Sequence, residues 1–458
     1  MARLSLCLIA KNEEDFLPGC LASVAGAVDE IVLVDTGSTD QTMAIARLAG
    51  ATILERPWDE DFSAPRNLAA RHATGDWILM LDADERLAPG AGPALRRALK
   101  RATFDLGMLR LHNAARRDAP AAEVLSGEAR TGSVLLLPRV FRNVDGLEWR
   151  GAIHETTGEW LLRRRGRREA LAVDLIHLGY TPDLLASRAK RQRNLALLRK
   201  RCQLEPGDVT PAGYLALELL EGGEHEAAAQ VVARAWATLD AQPSFRCFAR
   251  ISAARGLLAL RSADAALALE TADRAERQNG PHPDFDYLRG FGFEIQAVRS
   301  TPRTPERSAL LDRAAAAYLA ALRRLGRDGP FEFLGMVNEV RAHLHLGVVR
   351  LLQGQAQASL QAFTAALRLE PRNGSARIGA GEALLDLGQP AKALEVVEPA
   401  LGATPDGWLV AAAAAEQLGS AGDARLFFEQ ARQRQGTGYE CLHRWARHQA
   451  LERSLAPA

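Results

Sequence analysis

The chain has 458 residues, 47% apolar, 25% charged and 6% aromatic, an ordinary globular composition that excludes disorder, collagen and disulfide-dense scaffolds. Lysine and arginine number 57 against 56 acidic residues, so a net charge of +1 supplies no overall field toward nucleic acid or a membrane surface. The longest wholly apolar run, residues 408–415, falls far short of the roughly 18–20 that cross a bilayer, so no transmembrane segment is expected. Arg3 and the apolar stretch behind it have the start of a secretory signal, but Lys11-Asn12-Glu13-Glu14 follows at once without a small-residue cleavage site. That stretch reads as a first β-strand, and the protein as cytoplasmic. Five scattered cysteines (Cys7, Cys20, Cys202, Cys247, Cys441), never spaced as C-x-x-C, argue against disulfides or a structural zinc. Cys441-Leu442-His443 has nothing nearby to complete a metal site.

In chain order, the pattern predicts a strand at residues 4–9, a helix over 13–25, and a second strand at 31–34 ending on Asp35. A helix over 39–49, a strand at 51–54, a helix over 63–73 and a strand at 77–81 follow. This alternation predicts βαβ units and a parallel sheet covered on both faces, where ligands bind beyond the carboxyl ends of the strands. Asn12, Asp35 and Asp82 all fall at such ends. Residues 112–133, polar and rich in turn formers, read as a mobile loop.

Asp82-Ala83-Asp84-Glu85 directly follows the apolar run Trp77-Ile78-Leu79-Met80-Leu81. Carboxylates stacked at a strand end are costly unless a cation or hydrogen-bonding ligand sits there. Hard divalent metals such as Mg²⁺ or Mn²⁺ take such oxygens and bridge to phosphates. A D-x-D alone arises by chance in surface loops; its place after a buried strand gives it meaning. In Asp35-Thr36-Gly37-Ser38-Thr39-Asp40, Gly37 permits a tight turn and Ser38 or Thr39 can cap the next helix. Asp35 is then either a turn cap or a hydrogen-bond partner for a ribose or base. Arg66 is a surface arginine by default, or one that reaches a base or diphosphate.

Between 160 and 201 twelve lysines and arginines meet three acids. The stretch is read as a solvated hairpin and helix whose arginines pair with acids from the helical repeats that follow, in preference to a patch for an anionic partner. From about Pro206 the grammar changes to helices rich in Ala and Leu. Gly354, Gly388 and Gly422 lie 34 residues apart, and so do the pairs Gly347 and Gly381, Ala366 and Ala400, and Pro371 and Pro405. That period, with Leu346-Gly347 and Phe363, resembles the tetratricopeptide repeat, whose units stack into a curved solenoid. Weaker copies cover roughly 209–240 and 249–280, and a degenerate one 281–336. Length alone implies about three domains; the change of grammar resolves two, at 1–205 (with 160–201 as a basic connecting segment) and 206–458.

The segments LIAKNEEDFLPGCLASV, VDTGSTDQT, APRNLA and GDWILMLDADE, followed by RVFRNVDGLEWRGAIHE and IHLGY, resemble the family 2 inverting glycosyltransferases with the α/β, Rossmann-like GT-A fold. With the all-α repeats behind them, they resemble the bacterial subgroup that includes S-glycosyltransferases of bacteriocin cysteines. The resemblance covers about residues 3–205. It implies that Asn12 and Glu13 line the nucleotide pocket, that Asp35 bonds the uracil or ribose, and that Arg66 lies near the base. It makes Asp82 the ribose- or metal-facing acid, Asp84 the direct metal ligand, and His177 the late histidine completing the metal or diphosphate site. Without the resemblance, His177 is a core histidine at a strand end. Glu155 takes the place of the general base, with His154 orienting it or touching the diphosphate, and Trp149 and Gly151 shape the acceptor side.

Inversion requires one in-line displacement, a base on the acceptor side and positive charge on the departing diphosphate. Glu155 suits the base better than His154, because partial burial moves a carboxyl toward neutrality. The reading is a metal-dependent transferase (Mn²⁺ or Mg²⁺) using a nucleotide-sugar, with a UDP-sugar preferred from the resemblance. Its acceptor is a soluble peptide, protein or glycan presented by the repeats, which can equally form a homodimer; nucleic acid is not expected. A nucleotidyltransferase is disfavoured because Lys11-Asn12-Glu13-Glu14 stands where a glycine-rich phosphate loop would be. The remaining alternative is a non-catalytic repeat scaffold with a degenerate nucleotide-sugar domain.

Overall fold

A computed structural model describes residues 2–179, 188–241, 249–325, 336–401 and 405–433. Tyr180, Cys247 and the Cys441–His443 pair lie outside the described residues. Two compact units divide at Met1–Cys247 and Phe248–Ala458.

The first unit is built on β1 (Leu4–Ala10), β2 (Glu30–Asp35), β3 (Thr52–Glu55) and β4 (Trp77–Asp82), with α1 (Leu17–Ser23), α2 (Thr42–Leu48) and α3 (Ser63–His72) between them. These strands pair in parallel in the order β3-β2-β1-β4. Cys7 and Leu8 of β1 and Leu79 of β4 are wholly buried, as expected of strands covered on both faces. The register sets Ala10 beside Asp35 and Ile9 beside Asp82, so both acids emerge at one end of the sheet. Helix α1 is shorter than the 13–25 pattern because Pro18 fits only a first turn.

The sheet then departs from the parallel expectation. Strands β5 (Glu85–Leu87), β6 (Leu106–Ala114), β7 (Arg130–Arg142) and β8 (Arg168–His177) complete an eight-stranded mixed sheet in the order β3-β2-β1-β4-β7-β6-β8-β5. Strand β7 runs antiparallel to β4 and β6, and β5 antiparallel to β8. Residues 112–133 carry regular structure rather than a plain loop: Asn113 and Ala114 pair with Thr131 and Arg130, and α5 (Ala121–Ser126), preceded by α4 (Ala91–Lys100), buries Val124. After α6 (Gly158–Arg163) come α7 (Arg188–Leu204), α8 (Val209–Glu221) and α9 (His225–Ala237).

These last helices belong to the first compact unit although their composition resembles the repeats. Leu195, Leu198, Leu215, Leu219 and Ala228 form one apolar cluster with Ile153, and Trp58 and Phe62 pack against it. The change of grammar near 205 and the packing division at 247 are thus separate features. The basic stretch forms ion pairs: Arg191 with Glu224, Lys200 with Glu60, Arg163 with Glu159 and the buried Arg201 with Glu205 and Asp208.

Ser5, wholly buried in β1, donates to Glu30 and accepts from the Gly75 N–H at 2.9 Å. Burial works against the Glu30 carboxylate, but bonds from Ser5 and Thr74 outweigh it and lower its pKa. That contribution is present above the ordinary carboxylate pKa and lost as pH falls through the lowered value. Ser5→Ala strands a buried N–H and weakens this link. It is expected to cost about 1–3 kcal/mol, read as a lower melting temperature, with a smaller penalty at pH 3 than at pH 7.

The second unit contains α10 (Ala249–Ser262), α11 (Ala265–Asn279), α12 (Pro283–Arg299), α13 (Pro305–Arg324), α14 (Glu339–Leu352), α15 (Ala356–Leu369), α16 (Gly374–Asp386), α17 (Pro390–Val397), α18 (Pro405–Gln417) and α19 (Ala421–Gln433). Its period has a packing cause. A Cβ on Gly347 would come within 2.7 Å of the Phe363 ring, and 34 residues on a Cβ on Gly381 would meet Val410 at 3.0 Å. Gly354 and Gly388 turn the chain between paired helices at φ +71° and +69°. In the next pair Gly419 takes this role at φ +80°, whereas Gly422 lies inside α19.

Candidate active site

At the carboxyl end of β4 two arginines organise the acids. Arg66, buried in α3, donates from Nη2 to Asp82 Oδ1 at 2.8 Å and from Nε to Glu155 Oε1. It therefore ties the D-x-D strand end to the His-Glu dipeptide, itself reaching across 89 residues of sequence to Glu155. Arg139 of β7 donates to the other oxygen of Asp82 at 3.2 Å and to Glu85. Glu85, almost wholly buried, accepts the Asp82 N–H at 3.2 Å. Burial works against the Asp82 carboxylate, but Arg66 and Arg139 outweigh it and hold its pKa far below the usual range. Burial, with the charge of Asp82 acting in the same sense, raises Glu85 against the pull of Arg139.

Asp84 and His177 form a second group. His177 Nε2 lies 3.3 Å from Asp84 Oδ2, and its Nδ1 is 2.8 Å from Asn113 Oδ1, which fixes the ring from behind. Burial disfavours the imidazolium, yet the hydrogen bond and charge of Asp84 outweigh it and raise the His177 pKa. One carboxylate and one imidazole are donors that would suit a divalent cation such as Mn²⁺ or Mg²⁺. Among the described residues no three such side chains stand together as a closed cage. Asp82 has both oxygens on guanidinium groups here, so Asp84 and His177 are the fitting pair. Gly179 is packed against them: a Cβ there would collide with Asp84 Oδ2 and approach His177 Nε2 to 2.8 Å. Gly179→Ala is expected to weaken Mn²⁺ binding about 10–100-fold with little change in melting temperature, measured by calorimetric titration.

Asp35, 3% exposed, uses Oδ2 to accept from the Gly37 and Ser38 N–H groups at 2.9 Å each. Its Oδ1 is buried without a hydrogen-bond partner, as are Nη1 of Arg66 and Nε of Arg139. Buried polar atoms left unmet are costly, and a hydroxyl, an imide N–H or a phosphate oxygen can satisfy them. Asn12, at φ +56°, accepts from Thr39 N at 2.8 Å, and the Glu13 N–H donates to Thr42 Oγ1 at 2.7 Å. These two residues lace the loop after β1 to the loop after β2.

Glu155 follows a tight loop. The Trp149 backbone is held by both ends of the Asn67 amide at 2.8 Å, and its ring packs edge-on to Phe141 at 4.8 Å. Gly151 adopts φ +102°, and His154, at φ +51°, stacks on Tyr214 of α8 with ring centres 3.7 Å apart. Trp149 and Gly151 also line an open polar groove of about 500 Å³ beside Asn67, Arg71 and Arg150.

Structure thus joins Arg66, Asp82 and Glu155, and separately Asp84 and His177; Asp35, Asn12 and Glu13 sit on the adjoining loops. Sequence reasoning missed Arg139, Glu85 and Asn113. A lone arginine in the apolar run of β7 and a third acid after D-x-D were the available signals.

The sequence model described as glycosyl transferase family 2 matches residues 5–165, and that of the tetratricopeptide repeat matches 350–418. Residues 5–165 are a family 2 glycosyltransferase domain. A TPR repeat-containing protein of Synechococcus elongatus is 36% identical over 236 residues, 50% of this chain and 55% of that protein. An uncharacterized glycosyltransferase of Rickettsia felis is 39% identical over 88 residues, 19% of this chain and 31% of its own length. The SPbeta prophage-derived glycosyltransferase SunS of Bacillus subtilis is 26% identical over 210 residues, 43% of this chain and 45% of that protein. The chain therefore spans about half the length of the Synechococcus and Bacillus relatives. A tetratricopeptide repeat structure from Parabacteroides merdae aligns at TM-score 0.40 and 15% identity over 58% of this chain and 94% of that one. Among the described residues no helix is long and apolar enough to cross a membrane.

Proposed function

We propose that the glycosyltransferase domain moves a sugar from a nucleotide-sugar, with UDP-sugars the first donors to try, to a peptide, protein or glycan acceptor with inversion at the anomeric carbon. The observation that carries this reading is the Arg66 bridge between Asp82 and Glu155. It puts a carboxylate from the acceptor-side loop beside the donor-side strand end, with buried positive charge between them. Glu155 Oε1 is held by Arg66, and Oε2 is the oxygen left to take the acceptor's proton as the acceptor attacks. The bond from the anomeric carbon to the diphosphate breaks in the same step, and the electron pair leaves with the diphosphate. Arg66 and Arg139 present guanidinium groups where that charge develops. Asp84 and His177 would hold a Mn²⁺ or Mg²⁺ ion, which supplies further positive charge to the leaving group when bound. Asp35 Oδ1 meets the nucleoside. The cytoplasm is the proposed setting, on the sequence reading above, and the repeats are the proposed acceptor platform.

The test is release of nucleoside diphosphate from UDP-, GDP-, CDP- and dTDP-glucose with Mn²⁺, with the configuration of the transferred sugar read by proton NMR. Turnover of one donor with inversion supports the reading. Retained configuration, or no turnover of any donor by the full chain, contradicts it.

A further inference from the structure

The loop that carries Glu155 does not hold itself. Residues 149–156 close through reciprocal Arg150–Thr156 backbone bonds of 3.0 Å, yet Gly151 and the non-glycine His154 both take left-handed conformations. Conformations of this kind persist only where surroundings over-determine them. Part of those surroundings comes from α3 and its start, through Asn67 on Trp149, the Phe62 N–H on the Ala152 carbonyl and Arg66 on Glu155, and part from α7 and α8, which lie beyond the 5–165 stretch that matches the family model.

Arg201, on α7 and 2% exposed, donates from Nη1 to the carbonyl of Ile153 at 2.7 Å and to that of His154 at 3.3 Å. Its Nη2 faces Asp208 Oδ2 at 3.5 Å and its Nε faces Glu205 Oε2 at 3.1 Å. The guanidinium lies flush against Gly151, where a Cβ would collide with it. Asp208 is itself fixed, because its Oδ1 caps α8 at the Thr210 N–H, 2.9 Å away. Tyr214 of α8 covers the His154 ring nearly parallel, at 6°. A buried planar donor therefore grips the two carbonyls immediately before Glu155, and both flanking helices anchor that donor.

We propose that Arg201 is a second positioning residue for Glu155, beside Arg66, acting from α7 through the Ile153 and His154 carbonyls. The helical pair α7–α8 is then a working part of the transferase domain. This inference rests on the reading of Glu155 as the base. Lysine can reach one carbonyl but cannot hold both and the Asp208 carboxylate in one plane. A displacement of about 1 Å at a reacting group can cost about 100-fold in rate.

The test uses full-length Arg201→Ala, Arg201→Lys and Asp208→Asn, the last keeping a good helix cap while removing the charge that orients Arg201. The probe is UDP-glucose with Mn²⁺, or whichever of GDP-, CDP- and dTDP-glucose the wild type turns over. Arg201→Ala is expected to lower kcat about 100-fold, with donor KM and calorimetric donor affinity within twofold. Millimolar guanidinium is expected to restore part of that loss, and to restore nothing in Glu155→Gln. Arg201→Lys and Asp208→Asn are expected to fall between, and they decide the matter if Arg201→Ala does not fold. A kcat within threefold of wild type in the folded variants overturns the proposal, as does a loss of donor affinity that parallels the loss of kcat. If Glu155→Gln keeps its turnover, the base reading itself falls, whatever Arg201 does. If Glu155→Gln is inactive and the Arg201 variants are not impaired, only this inference falls. Absence of wild-type turnover with every donor removes both.

Discussion

Glu155→Gln is expected to lower sugar transfer by about 100- to 10,000-fold, the usual range for loss of a positioned base, while leaving donor affinity within a few-fold of wild type. The amide keeps the shape of the side chain and can still accept from Arg66 Nε, so the Arg66–Asp82 contact on the donor side persists. What it removes is a basic oxygen at the acceptor. Initial rates and a calorimetric titration of the same donor separate the two effects. A variant with normal kcat would show that the acceptor's proton leaves by another route. If the acceptor is a thiol, its lower reference pKa makes the loss smaller, toward the 100-fold end.

The second large effect is expected at Arg66, and it is one of stability as well as activity. Arg66→Met fills similar space but strips the counter-charge from Glu155 and from one oxygen of Asp82. Removing one partner of a buried ion pair costs more than the pair contributes, because the remaining charge stays desolvated. Glu155 is 13% exposed at its side chain and Asp82 37%, so most of the penalty falls on Glu155. A loss of about 3 kcal/mol, the low end of the range for broken buried pairs, is expected in denaturant unfolding at pH 7. The double variant Arg66→Met with Glu155→Gln is expected to recover part of it, since the uncompensated charge is then gone. An unchanged unfolding midpoint in Arg66→Met would mean that the bridge is not a buried pair in solution.

How far the sequence disclosed this site depends on which physics wrote each part. Strands β1, β2 and β4 were legible because parallel strands covered on both faces are short apolar runs, and β2 and β4 end on an aspartate where the chain leaves the sheet. Asp35 and Asp82 were found for that reason. Strands β6 and β7 were not, because register shifts at Gly107/Met108 and Leu111/Asn113 break the alternation that marks a strand. The Arg116-Arg117-Asp118 turn between them then looked like part of a long loop.

The partnership of Arg139 with Glu85 spans 54 residues and exists only after β7 has paired with β4. No local spacing announces it. The same holds for Arg201, whose surroundings read as a solvated basic stretch while its guanidinium is buried under Gly151. The repeats were legible through their period, since Gly347 and Gly381 each admit a close-packed neighbour, Phe363 in one unit and Val410 in the next. Gly422 kept that period without its function, which passed to Gly419.

Donor binding at the strand ends is the property on which the proposed transfer depends. The most direct measurement is a thermal-shift series with UDP-, GDP-, CDP- and dTDP-sugars, with and without Mn²⁺, on the wild type and on Asp84→Ala. A donor at 100 times its dissociation constant adds about 2.7 kcal/mol to the native state. A metal-dependent rise in melting temperature with one nucleotide, absent in Asp84→Ala, is the expected result. No rise with any donor in the wild type, or an equal rise in Asp84→Ala, would contradict it.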